Sequence, residues 1–149
     1  MPARPGRRLH LPERGLTMRL RDDKWCFACG RDNPHGLRLE FRADGEEYVC
    51  DFVPQRHHQG WSGAVHGGIV ATLLDETITR MLCDRGSPVV TADLHVRLKR
   101  PTPVGQPVQV RARLLERRRE IITAAAELLL ADGTVTATAE AKLMGGEPA

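Results

Sequence analysis

Only one stretch of this chain repeats its apolar residues at helical spacing, and every other patterned stretch alternates. From Val65 to Cys83, the residues Ile69, Val70, Leu73, Leu74, Ile78, Met81 and Leu82 recur at intervals of three and four. That is the spacing of one buried face on a helix of about five turns. Gly86 and Pro88 then stop it. Before the helix, Leu37, Leu39 and Phe41 oppose Arg38, Glu40 and Arg42, and Asp44-Gly45 turns the chain into a second strand over Tyr48–Val53. After it, Val90, Ala92, Leu94, Val96 and Leu98 alternate with Thr91, Asp93, His95, Arg97 and Lys99. Val108, Val110, Ala112 and Leu114 follow, then a charged turn at Glu116–Glu120, a segment over 121–131, the Asp132-Gly133 turn, and Val135, Ala137, Ala139, Ala141 and Leu143. Strands and helices do not alternate, so the sheet is expected to be antiparallel. One long helix and strands with a single apolar face each predict an α+β fold: a curved sheet of five to six strands wrapped around one central helix.

The helix carries an unusual start and an unusual acid. His66-Gly67-Gly68 opens it, six uncharged residues follow, and then comes the pair Asp75-Glu76. A carboxylate buried two turns into an apolar helix costs several kcal/mol unless it has a partner. Glu76 points about 100° away from Asp75 around the helix axis and is the weaker candidate of the two.

With 149 residues the chain has room for one core. Residues 1–20 are Pro- and Arg-rich without periodicity and are expected to form a disordered basic tail ahead of a domain over 21–145; Met18 is a candidate start. Much of the net charge of +3 lies in the first 21 residues, in Arg4, Arg7, Arg8, Arg14, Arg19 and Arg21. The near-neutral body and the shortage of aromatics count against a nucleic-acid partner. No apolar run reaches the roughly 20 residues needed to cross a bilayer, so no membrane span is expected and the default is a cytoplasmic protein. In that compartment the four cysteines are expected as thiols. Cys26-Phe27-Ala28-Cys29-Gly30 has the spacing of half a zinc knuckle. A complete site would have to recruit Cys50, His35, His57 or His58, and a metal-free turn packed with thiols is the expectation.

The element order and the motif resemble the hotdog-fold thioesterases, specifically the PaaI-like and THEM4-like acyl-CoA thioesterases. The resemblance covers about residues 25–144 and rests on Gly63-x-x-His66-Gly67-Gly68, on Asp75 nine positions after His66, and on Thr91 heading a strand that ends in Lys99-Arg100-Pro101-Thr102-Pro103. It implies an acyl-CoA thioesterase without metal or redox cofactor. It further implies an oxyanion donor at the Gly67 N–H, with Gly68 adjacent. Asp75 then serves as general base or as nucleophile, and Thr91 orients the water or the carboxylate. One departure stands out. Where some relatives carry an Asn before His-Gly-Gly, this chain has His57-His58-Gln59-Gly60, which makes His58 a candidate substrate contact.

The chemistry agrees with those assignments. A helix N-terminus offers free N–H groups and partial positive charge to a developing oxyanion, and two glycines let a substrate approach that backbone. His66 either binds substrate or holds the turn by a hydrogen bond. Trp61 beside the motif is a candidate wall for an acyl pocket, while Arg97, Lys99 and Arg100, with Arg117-Arg118-Arg119, are candidates for the coenzyme A phosphates. Asp75, however, lies ~12 Å along the helix from Gly67, too far for both to act on one carbonyl. A two-fold homodimer with antiparallel central helices, alone or as a dimer of dimers, brings one helix N-terminus beside the middle of the other. The competing reading is a hotdog dimer that binds acyl-CoA without hydrolysing it.

Overall fold

The structure is a computed structural model that describes residues 19–145 and 147–148. The tail expected over residues 1–20 therefore falls mostly outside the described residues. In chain order the elements are β1 (Arg19–Leu20), β2 (Phe41–Asp44), β3 (Glu47–Phe52), a 3-10 turn (Arg56–His58), α1 (Gly67–Asp84), β4 (Val89–Leu98), β5 (Val108–Arg118), β6 (Ile121–Leu130), β7 (Val135–Gly145) and β8 (Glu147–Pro148). Six strands form one antiparallel sheet in the order β2-β3-β5-β6-β7-β4, and β1 pairs with β8 in a separate two-residue parallel ladder. The long helix packs against β3 through β7, so the sheet curves around it in the expected hotdog arrangement.

Helix and sheet fit because their facing residues differ in size. Val70, Leu73, Leu74, Thr77, Ile78, Met81 and Leu82 are the buried residues of α1. The sheet answers with Ala112, Ala124, Ala126, Ala137, Ala139 and Ala141, which leave room for those larger side chains, and with Val110, Leu128 and Leu143 between them. Thr77 is fully buried but satisfied, because its hydroxyl donates to the Leu73 carbonyl at 2.7 Å. The helix ends in a Schellman arrangement: Gly86, at φ +90°, donates to the Cys83 carbonyl and Ser87 to the Leu82 carbonyl. Leu73→Ala is expected to cost about 2–5 kcal/mol of stability, read as a lower urea midpoint at unchanged slope, because the sheet cannot collapse into the space left.

Three expectations change in detail. Leu37–Glu40 is not a strand; Arg38 adopts φ +52°, and Leu37 and Leu39 donate instead to the carbonyls of Phe27 and Ala28. The alternation there is a burial pattern without a ladder, since Leu39 still packs into the core at 5% exposure. The inward face of β4 also differs from simple alternation. Its register with β7 shifts between Thr91 and Asp93, so Val89 and Thr91 face inward before the bulge, and Leu94 and Val96 after it. Val90 and Ala92 do not hold the core positions that uninterrupted alternation assigns them. At the far hairpin, β5 runs on to Arg118, which leaves only Arg119 and Glu120 as the turn and Leu114 exposed. Among the described residues no helix is long and apolar enough to cross a membrane.

Candidate active site

The entry to α1 is built by its own residues. His66 is the N-cap, and its Nδ1 accepts a hydrogen bond from the Gly68 N–H at 2.9 Å. The turn-holding role for this imidazole is therefore observed, and it requires an unprotonated Nδ1. A Cβ at Gly68 would meet that ring at 3.0 Å, so a glycine there allows the cap to close. The N–H groups of Ile69 and Val70 both turn to the His66 carbonyl. Gly67 is left as the first-turn N–H with no acceptor among the described residues.

The loop ahead of the helix holds this entry in place. The His66 N–H donates to the His58 carbonyl, the Val65 N–H to Thr102, and the Thr102 and Thr136 hydroxyls share a buried hydrogen bond of 2.8 Å. His58 itself makes contacts that hold the loop. Its Nδ1 accepts from the Gln55 N–H at 2.9 Å and its ring packs on Phe52 and His57. Burial, together with the neighbouring His57, lowers its pKa. Trp61, 89% exposed, lines an open cleft of 380 Å³ with Gly60, Ala64, Val65, His66 and Gly67.

Asp75 sits mid-helix, half-buried, and accepts a hydrogen bond from Thr91 Oγ1 at 2.7 Å. The Thr91 hydroxyl lies 3.4 Å from that of Thr79. Thr79 is not among the residues the sequence singles out, although it stands four residues after Asp75, on the same helix face. The bulge in β4 is what aims Thr91 at the helix, because simple alternation would place it on the outer face with Asp93 and His95.

The far end of β4 reaches the start of the helix. A Cβ at Gly67 would meet Leu98 Cδ1 at 3.0 Å, so the strand end carrying Arg97 and Lys99 lies beside the helix N-terminus. Arg97, Lys99 and Arg100 are exposed and in no ion pair among the described residues. Arg117 instead reaches Ser87 just past the other end of α1, so the arginine run and the Arg97–Arg100 group do not converge within one chain.

Glu76 faces elsewhere. Cys26 Sγ lies 3.5 Å from its Oε1, and Cys29 completes a trio whose ligand atoms are all within 4.8 Å of one another. Burial, followed by the carboxylate of Glu76, pushes the Cys29 thiol up. None of Cys50, His35, His57 or His58 joins this group. The Cys-x-x-Cys turn has found its third polar neighbour on the central helix, a position that spacing along the chain does not reveal.

With this geometry in place, the class of protein is defined by comparison. Residues 62–137 match the family model of the thioesterase superfamily, and the chain belongs to that superfamily. Among relatives, it is 28% identical over 85 residues to acyl-coenzyme A thioesterase 13 of Mus musculus, covering 56% of this chain and 61% of that one. It is 40% identical over 67 residues to acyl-coenzyme A thioesterase THEM4 of Rattus norvegicus, covering 44% of this chain and 28% of that one. A solved thioesterase superfamily protein superimposes with a TM-score of 0.76 at 26% identity, covering 81% of this chain and 60% of that one. The chain thus spans about three fifths or less of these relatives, and the segment that matches the family model includes the helix entry, α1 and β4.

Proposed function

We propose that this protein is an acyl-CoA thioesterase whose active sites are each shared between two copies of the chain. One observation carries the reading: α1 holds an acid oriented by a strand hydroxyl in its middle and an unsatisfied N–H at its start. The two lie ~12 Å apart along the axis, so they serve different substrates within one chain. An antiparallel pair of helices joins the Gly67 N–H of one copy to Asp75 of the other. The long β4 supports such pairing, because it is an edge strand of ten residues with one side of its backbone unpaired among the described residues. Dimers of this kind have room to associate further into dimers of dimers.

In the proposed reaction the Gly67 N–H receives the thioester carbonyl oxygen and stabilises the charge that develops there. Asp75 either takes a proton from the attacking water or attacks the carbonyl itself, with water then releasing the acid. Thr91 fixes the carboxylate by donating to one of its oxygens and leaves the other toward the substrate. The carbonyl–sulfur bond breaks, and the thiolate of coenzyme A leaves and is protonated. Trp61, His66 and Gly67 border the cleft that receives the substrate, and Gly68 stands next to it in the chain. Arg97, Lys99 and Arg100 lie where phosphates are reached from the helix N-terminus, and His58 acts by holding the entry loop.

The test is release of free thiol from short, medium, long and aromatic acyl-CoAs. Turnover of at least one class is expected. Tight binding without thiol release from any of them would establish the binding-protein reading in its place. Thr91→Val should lower kcat about 10–150-fold with little change in KM, since it removes one hydrogen bond to a charged group, and Thr91→Ser should recover most of the loss.

A further inference from the structure

We propose that Cys26, Cys29 and Glu76 form a zinc site that ties the turn over residues 22–36 to the middle of α1. The three side chains come from two elements 50 residues apart at the Cys26–Glu76 contact, yet their ligand atoms lie within 4.8 Å of one another. One of the three spacings is already that of a metal shell. With Zn–S near 2.3 Å and Zn–O near 2.0 Å, tetrahedral geometry puts a thiolate sulfur and a carboxylate oxygen about 3.5 Å apart. Cys26 Sγ and Glu76 Oε1 are 3.5 Å apart.

The turn is built to present both sulfurs. The Gly30 N–H donates to the Cys26 carbonyl at 2.8 Å, and the Asp32 N–H to Lys24 at 3.0 Å. A Cβ at Gly30 would meet the Cys26 backbone at 2.5 Å, so only glycine lets this Cys-x-x-Cys-Gly turn close. Gly36 makes a second tight approach, where a Cβ would meet the Phe27 carbonyl oxygen at 2.4 Å, and it folds the rest of the segment back over the turn. Two sulfurs and one carboxylate select zinc over magnesium or calcium, which prefer all-oxygen shells.

The charge and the fourth position are also provided for. Two thiolates and a carboxylate around Zn²⁺ leave one negative charge. Arg80, one turn beyond Glu76 on the helix, lines the same 880 Å³ cavity as Cys29 and, already paired with Asp84 and with Asp22 at 3.8 Å, offsets that charge in part. Cys26 is exposed, which gives water access to the open coordination position. On binding, each thiol gives its proton to solvent as its sulfur takes up the metal. Adjacent residues of α1 thereby divide their work, with Asp75 turned to Thr91 and Glu76 to the turn.

The test uses the full chain, purified under reducing conditions, and needs no substrate, so its outcome is independent of thioesterase activity. One zinc per chain is expected. Cobalt substitution should give sulfur-to-metal charge-transfer absorption. Cys26→Ser and Cys29→Ser should each diminish that absorption and release zinc. Glu76→Gln should weaken zinc in chelator competition by more than ~100-fold, beyond the ~10–100-fold typical of outer-shell partners. Asp75→Ala should keep the metal, and circular dichroism checks that each variant is folded. The proposal is overturned if the reduced protein takes up no zinc and shows no charge-transfer band. It is equally overturned if Glu76→Gln binds zinc as tightly as the parent, or if the pair is isolated as a Cys26–Cys29 disulfide whose reduced form takes up no metal.

Discussion

Asp75→Ala is expected to reduce thiol release from acyl-CoA about 10²–10⁴-fold while leaving the chain folded. The magnitude is that of removing a positioned acid or base from a transition state. Stability should survive for a structural reason. Asp75 is half-buried, and the hydroxyl it releases, that of Thr91, lies 3.4 Å from Thr79 and can pair there. No buried group is then left without a partner, so the large penalty for an orphaned donor does not arise. The check is kcat from a thiol-release assay beside a urea titration of the same preparation. Unchanged turnover would remove Asp75 from the mechanism. Lost turnover together with a lower urea midpoint would make its role structural.

Mixing two inactive variants should restore activity. Gly67→Pro removes the free N–H at the first helical position, where proline is well tolerated. His66 already has the extended backbone that precedes a proline, at φ −56° and ψ 133°. The contact with Leu98 involves a methyl at the end of a flexible side chain, which can move. Gly67→Pro alone should lower kcat about 10²–10³-fold, as loss of one oxyanion donor does. In a mixed dimer with Asp75→Ala, one site receives both defects and the other receives neither. Random re-pairing at equal amounts makes half of the dimers mixed, each with one intact site, so about one quarter of the parent activity returns. If denaturation, mixing and refolding return none, Gly67 and Asp75 act within a single chain and the shared site is wrong.

Both experiments rest on α1, and α1 is legible from sequence. Apolar spacing predicts a helix from Val65 to about Cys83, and the helix runs Gly67–Asp84. Its stop at Gly86 is equally readable, since a left-handed residue at that point leaves few choices but glycine. The hairpin at Asp44-Gly45 and the strands β5, β6 and β7 also follow from local pattern. Leu37–Glu40 marks the limit of that method. Alternating burial and strand pairing usually coincide, but here the alternation persists while the hydrogen bonds go to a neighbouring loop.

The candidate site divides along the same line. His66-Gly67-Gly68 is a local device, and its capping hydrogen bond spans two residues. Thr91 is different, because its residue type and alternation place it on the outer face of a plain strand. One extra residue in β4 turns it inward to Asp75, and a bulge leaves no clear mark in residue type. Thr79 joins them only once helix and strand are docked.

The sequence by itself determined one helix, its start and its stop, an antiparallel set of strands, and an acid too far from the helix entrance to share its substrate. Those properties are carried by periodicity and turn chemistry, which act over a few residues. Tertiary structure decided which side chains meet across elements: Thr91 with Asp75 through a bulged register, and Glu76 with Cys26 and Cys29 across 50 positions. Such contacts depend on how strands pair and how a loop folds back. Neither is encoded by spacing along the chain, because the partners belong to segments whose local patterns are independent of one another.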